Sequence, residues 1–348
     1  MNYLIARLKS GYWRLREAPQ MGSRFLRRPF KVLEPEGPHA WLFQMSRLSK
    51  IVKTLDYWSL PWPQKIFWSY VYLFVNFYKG KLPLGNIMFF GCVGMSKLLG
   101  QHSYYLVTVD GSKLYLAVED PRAFQAIIEL IDSGSDAYSL KYFIGKGNTF
   151  IDVGANYGVF SVVASKLVGP TGMVVSIEPQ PLLAKLVKKN LEANGESPFQ
   201  VFECGCSDRE GSTELFVPRG SSGAAGVYKS FSATGEHRVL KVGLKRLDDL
   251  VLSLRLPGSL FVKLDVEGHE LAALKGCRDL IRERKPKLMI EINNDAMHSA
   301  GVSIEDYVAF LKAMGYKYFV WMDRPLQAVQ LDILPKSQIS LKNIVVIK

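Results

Sequence analysis

The apolar positions change rhythm near residue 100 and stay orderly from there to the C-terminus. Tyr104–Val118 alternates around Asp110-Gly111, a dipeptide suited to the positive φ angles of a tight turn, and predicts a two-stranded hairpin. Phe124, Ile127, Ile128 and Ile131 recur at helical spacing within Pro121–Asp132, with Asp120 placed to cap the first turn. Short apolar runs then alternate with longer amphipathic ones. Strands are predicted at Thr149–Val153, Val174–Glu178, Gln200–Glu203, Leu260–Leu264 and Leu288–Ile292, and helices between most of them, as at Leu182–Asn194 and Glu270–Arg284. Helix Ile304–Met314 and strands Tyr318–Met322 and Asn343–Ile347 follow. Strand–helix alternation of this kind means an α/β fold, a parallel sheet with helices on both faces.

Composition locates what this pattern leaves out. The chain has 348 residues, 48% of them hydrophobic, and four Cys, which excludes a disordered or disulfide-stapled class, while its formal net charge of +12 raises nucleic acid, membrane surface and acidic substrate as partners. Residues 1–100 hold 15 Lys+Arg against 4 Asp+Glu, while residues 101–348 hold 29 against 28. The basicity therefore belongs to an N-terminal extension, not to the α/β domain. That extension also carries Trp13, Trp41, Trp58, Trp62 and Trp68, and an uncharged run from Ile66 to Tyr78. Thirteen residues fall short of the roughly 20 a spanning helix needs. Two readings compete: a core helix packed on the next domain, or peripheral contact with an anionic membrane surface through residues 1–100. Nucleic acid ranks third for want of a binding module. No secretory signal precedes Arg7, and Cys92, Cys204, Cys206 and Cys277 suit a reducing compartment, so a cytoplasmic location is expected.

Chemistry gathers at the strand ends. The first strand of the alternating region runs into Asp152-Val153-Gly154-Ala155-Asn156-Tyr157-Gly158, a glycine-rich turn that lets backbone approach a ligand ahead of a helix. Asn156 stands where the dinucleotide fingerprint has its second glycine. Glu178 follows at the end of the next strand, where a carboxylate can accept both hydroxyl hydrogens of a ribose. A nicotinamide-dependent oxidoreductase shares that geometry, so the two features leave the cofactor open.

The motifs taken together narrow it. Asp152 to Gly158, Ser176-Ile177-Glu178-Pro179, Leu247-Asp248-Asp249-Leu250, Val262-Lys263-Leu264-Asp265-Val266-Glu267-Gly268-His269-Glu270, and Pro286 leading to Glu291 occur in that order. The combination resembles the FkbM-type family of S-adenosylmethionine-dependent methyltransferases over roughly residues 140–348. The resemblance implies a Rossmann-like class I methyltransferase, with a seven-stranded, mostly parallel sheet and an antiparallel last strand. It implies S-adenosyl-L-methionine as cofactor, with Asp152, Gly154, Ala155, Asn156 and Gly158 shaping the methionine side, Glu178 and Pro179 the ribose side, Cys206 and Asp208 the adenine side, and Asp265 at the chemistry.

The sulfonium makes the methyl an electrophile, so the enzyme's remaining work is alignment and removal of the acceptor's proton. His269 is the first candidate base, Glu267 the second and Glu291 the third; Glu267 could instead accept the amides that follow it. A metal-assisted variant would draw on Asp265, Glu291 and Asn293 or Asn294, but oxygen-rich strand ends are common without metal and none is expected. Pro218–His237, rich in Gly and Ser, reads as a long loop and is expected to act as a lid on the substrate side. The sequence thus points to a methyltransferase domain at 101–348 (core 140–348) behind a basic, mainly helical extension at 1–100. The expected acceptor is a hydroxyl on a sugar, glycolipid or secondary metabolite; the rivals are the oxidoreductase and a non-catalytic membrane- or protein-binding module.

Overall fold

The structure, a computed structural model, describes residues 55, 56, 58, 60–66, 69, 94, 95, 98, 104–120, 122–218, 222–229, 237–337 and 341–348. Apart from those few positions, the basic aromatic extension and the membrane and nucleic-acid readings placed on it lie outside the described residues. Among the described residues, no helix is long and apolar enough to cross a membrane.

The chain divides into two compact units, Met1–Ile131 and Asp132–Lys348. In the first, β1 (Tyr104–Val109) and β2 (Ser112–Ala117) form an antiparallel hairpin closed by Asp110 and Gly111, both at positive φ. Helix α1 (Arg122–Ile131) starts where Asp120 accepts the Arg122 amide at 3.0 Å, and buries Ala123, Ala126, Ile127 and Ile131.

The second unit begins with α2 (Asp136–Ser139), β3 (Thr149–Val153), α3 (Val159–Val168), β4 (Met173–Ile177), α4 (Pro181–Asn194) and β5 (Phe199–Phe202). A small sheet follows, made by β6 (Gly205–Cys206), β7 (Gly211–Pro218) and β8 (His237–Lys245) in the order β6-β8-β7. The chain then returns through α5 (Leu247–Val251), β9 (Leu260–Leu264), α6 (Glu270–Lys275), α7 (Arg278–Arg284) and β10 (Lys287–Asn293). It finishes with α8 (Asn294–Ser299), α9 (Ile304–Ala313), β11 (Tyr318–Trp321), β12 (Arg324–Gln330) and β13 (Leu341–Ile347).

The large sheet has the order β12-β11-β13-β10-β9-β3-β4-β5. Strands β10, β9, β3, β4 and β5 run parallel, and β13 is antiparallel to both β10 and β11. Seven of these strands reproduce the expected Rossmann-like sheet with its antiparallel last strand. The eighth, β12, was not expected. It sits at the edge with most of its side chains exposed and Pro325 inside it, which an edge strand tolerates and a central strand does not.

One further departure concerns a helix. The expected helix Glu270–Arg284 is two helices, broken at Gly276 and Cys277. Gly276 lies so close to the Ser207 carbonyl that a Cβ would overlap it, and Asp248 accepts the amides of Asp279 at 3.2 Å and Leu280 at 2.9 Å, capping α7 from another element. The expected loop Pro218–His237 joins β7 to β8, and its first and last residues pair with each other at the end of that ladder.

Strands β3 and β9 are buried at every position, as in a sheet covered on both faces. Their charged residues face each other: Asp152 on β3 is in register with Lys263 on β9. Between β3 and β9 the strand order reverses, because β4 and β5 extend the sheet one way and β9 and β10 the other. The carboxyl ends of the strands at such a switch point leave a crevice for a ligand.

Candidate active site at the strand ends

The glycine-rich loop leaves β3 at that crevice. Gly154 has φ 79° and lies against the Asp265 carbonyl, where any Cβ would overlap it, so the close approach of β3 and β9 requires glycine. The amides of Gly154 and Ala155 both donate to the Ile177 carbonyl, at 3.0 and 3.1 Å, tying the loop to β4. Asn156 has φ 52°, and its Oδ1 accepts the Tyr157 amide at 3.0 Å. Gly158, at φ 73°, opens α3 with Val187 within 3.2 Å of where a Cβ would stand.

Glu178 organises this loop from below. One carboxylate oxygen accepts the Asn156 amide at 2.8 Å and the other accepts the Gln180 amide at 2.9 Å. Each oxygen keeps one lone-pair site for a hydroxyl. Burial pushes the carboxyl up to about 7, against the pull of the two amide hydrogen bonds. Pro179 leads into α4, whose first residue is Pro181.

Asp152 lies deeper than a pocket residue. It is fully buried, accepts Ser161 Oγ at 2.7 Å and pairs with Lys263 Nζ at 3.0 Å. Lys263 also donates to the Gly154 carbonyl at 3.2 Å and stands 3.4 Å from Asp265 Oδ2. Asp152 therefore acts on the loop through Lys263, and losing either partner would leave a buried charge, at a cost of about 3–5 kcal/mol. Sequence reasoning singled out Asp152 and missed Lys263. The available signal was a lone cation inside Leu260-Phe261-Val262-Lys263-Leu264, a run otherwise suited to a doubly covered strand.

Around the end of β9, Asp265, Glu267 and Glu291 bring carboxylate oxygens within 4.8 Å of one another, all three residues buried. Spacing of this kind could hold a hard cation, although acidic groupings also occur without one. Asn293, considered with them from sequence, instead caps α8 by accepting the Ala296 amide at 3.3 Å. Glu267 has φ 57°, and its carboxyl is pushed well above the usual range by burial and by Glu291 and Glu270. Of the amides that follow Glu267, that of Gly268 goes instead to Glu270 at 3.1 Å, which also accepts the Val266 amide at 2.9 Å and the Tyr307 hydroxyl at 3.1 Å.

His269 precedes α6 with its ring held at both ends: Nε2 is 3.0 Å from Ser207 Oγ and Nδ1 is 3.0 Å from Tyr228 Oη. Burial holds the imidazole below its usual value, with Asp208 opposing and Arg209 adding to the fall, so the ring is neutral near pH 7. Asp208 is exposed and accepts Ser207 Oγ at 3.3 Å. The Cys206 side chain lies in the apolar core beside Cys204 and Cys277, and burial drives its thiol well up.

Tyr228 belongs to the Pro218–His237 connection, whose described part, residues 222–229, runs across the site as a strap. Ser222 Oγ lies 3.4 Å from Asn156 Nδ2, and its carbonyl accepts Gln180 Nε2 at 3.1 Å. Gly226 exchanges backbone hydrogen bonds with Phe216 at 2.9 and 3.1 Å. The strap thus joins Asn156 of the glycine-rich loop and Gln180 at one end to His269 at the other.

Residues 152–318 match the family model of the methyltransferase FkbM domain. Among solved structures the chain is similar to the methyltransferase FkbM from Methylobacillus flagellatus KT, at 18% identity and TM-score 0.37, covering 67% of this chain and 56% of that one. It is also similar to a putative rRNA-methylase from Clostridium thermocellum, at 14% identity and TM-score 0.36, covering 61% of this chain and 92% of that one. A third is M. jannaschii TYW2 in complex with AdoMet, at 13% identity and TM-score 0.34, covering 71% of this chain and 85% of that one. The chain spans only 56% of the length of the first of these. No curated protein matches it. The segment that builds the site, residues 152–318, is a methyltransferase FkbM domain.

Proposed function

We propose that the chain is an S-adenosylmethionine-dependent methyltransferase that O-methylates a hydroxyl on a sugar, glycolipid or secondary metabolite. The observation that carries this reading is the Glu178 carboxylate, which fixes the Asn156 amide of the glycine-rich loop and keeps an acceptor site on each oxygen for a ribose hydroxyl. Asn156 favours a nucleoside sulfonium over a dinucleotide. Its side chain stands where a pyrophosphate would need bare backbone, and there it holds the Tyr157 amide and reaches Ser222.

In this reading Gly154, Ala155, Asn156 and Gly158 border the methionine side, Glu178 and Pro179 the ribose and Asp208 the adenine. Asp152 supports the loop through Lys263. The donor supplies an electrophilic methyl group. The chain's own residues hold the acceptor in line with it and accept the acceptor's proton. His269, neutral near pH 7, is the base on which that proton ends, and Asp265 and Glu267 border the acceptor side. The cation surplus in residues 1–100 supports peripheral docking at an anionic lipid surface, and with it a lipid-linked acceptor.

The test is transfer from methyl-labelled S-adenosylmethionine to hydroxyl and amine acceptors offered in solution and in neutral or anionic vesicles. Label in an ether supports the reading, and a preference for anionic vesicles supports the docking. Label confined to amines would overturn O-methylation, and indifference to vesicle charge would remove the membrane.

A further inference from the structure

We infer that Tyr228 is the catalytic residue that accepts the acceptor's proton, with His269 acting through it. The inference deepens the methyl-transfer reading above and rests on it. His269 has two ring nitrogens, and each already lies 3.0 Å from a hydroxyl, Ser207 Oγ at Nε2 and Tyr228 Oη at Nδ1. A proton reaches this imidazole through one of those hydroxyls or not at all. Ser207 is 3% exposed, whereas Tyr228 is half-buried on the strap, so the accessible route is the phenol.

The hydrogen bonds also give the route a direction. Asp208 Oδ1, a carboxylate oxygen that accepts only, lies 3.3 Å from Ser207 Oγ. Ser207 therefore spends its one proton on Asp208 and accepts from His269 Nε2–H. In the neutral ring this leaves Nδ1 bare, and a bare Nδ1 takes the Tyr228 proton. The tautomer is thus assigned from the heavy-atom network. Burial, Glu270 and Asp208 all push the Tyr228 phenol up, so it passes a proton on and does not rest as a phenolate.

The position suits the role. The same strap is tied at Ser222 to Asn156 and Gln180, beside Glu178, and at Tyr228 to His269. An acceptor hydroxyl between the donor pocket and Tyr228 Oη gives up its proton to Oη as the Tyr228 proton moves to His269 Nδ1. The electron pair left on the acceptor oxygen forms the bond to the methyl carbon, and the carbon–sulfur pair remains on sulfur. His269 ends as an imidazolium, and its extra proton returns to water through Tyr228 once product has left.

The test uses the full chain with Tyr228→Phe, His269→Ala and the double variant, and reads S-adenosylhomocysteine affinity, kcat, KM and the solvent deuterium isotope effect. The expectation for Tyr228→Phe is affinity within about twofold of the parent, KM little changed, kcat lower by about 10²-fold or more, and loss of the isotope effect. Because the two side chains form one relay, the double variant is expected to be no slower than the slower single variant. A Tyr228→Phe protein with kcat within about threefold of the parent, or a double variant whose losses multiply, would overturn the relay. If a variant fails to fold, Tyr228→Trp serves in its place, since it keeps an aromatic ring in the strap but cannot pass a proton; full turnover there also overturns the relay. Failure of the parent chain to bind S-adenosylhomocysteine would instead sink the methyl-transfer reading, and the relay with it.

Discussion

At the scale of single residues, the site depends on carboxylates buried further than ordinary acids. Glu178 is the sharpest case, because its carboxyl is pushed up to about 7 and, in the methyl-transfer reading proposed above, its ionised form accepts the ribose hydroxyls. The sign follows directly. Above pH 7 the carboxylate is ready to accept, while below it the acid must lose a proton before binding, so affinity falls as pH drops. Between pH 8 and pH 6 the dissociation constant for S-adenosylhomocysteine is expected to rise about tenfold, and Glu178→Gln should bind weakly at both. Calorimetry at the two pH values checks this, and a parent protein with flat affinity would contradict it. Glu270, also pushed up to about 7, titrates in the same window, so the Gln variant is what assigns the effect to Glu178.

Among elements, what the sequence made legible was whatever burial enforces. Strands Thr149–Val153 and Leu260–Leu264 match their predicted bounds because a strand covered on both faces is apolar at most positions, and the run shows where it starts and stops. Strand β12 escaped notice for the opposite reason: an exposed edge demands no apolar face. The break between α6 and α7 was hidden because its causes, the Ser207 carbonyl against Gly276 and the Asp248 cap, come from segments far away in sequence. Asp248→Ala removes that cap and is expected to cost about 1–2 kcal/mol. Thermal melting checks it; a melting temperature unchanged within a degree would mean that α7 does not depend on Asp248.

The candidate site was legible to a similar degree. Gly154, Glu178 and Asp265 could be named because each stands next to a strand end, where the chain order shows the chemistry. Lys263 and Tyr228 could not. The first hides in a strand and is intelligible only through its cross-strand partner Asp152; the second sits in a Gly/Ser-rich connection whose path no periodicity records.

For the whole molecule, the charge that distinguishes residues 1–100 and the chemistry of residues 152–318 are separate properties of one chain. The central claim concerns the second, that the loop and Glu178 receive a nucleoside sulfonium and not a dinucleotide. Calorimetric titration of the full chain at pH 8 with S-adenosylhomocysteine and with NAD, in the parent and in Glu178→Ala, tests it most directly. The account predicts saturable binding of S-adenosylhomocysteine alone, weakened at least tenfold, or about 1.4 kcal/mol, by Glu178→Ala. Binding of NAD in its place, or S-adenosylhomocysteine binding that Glu178→Ala leaves unchanged, would contradict it.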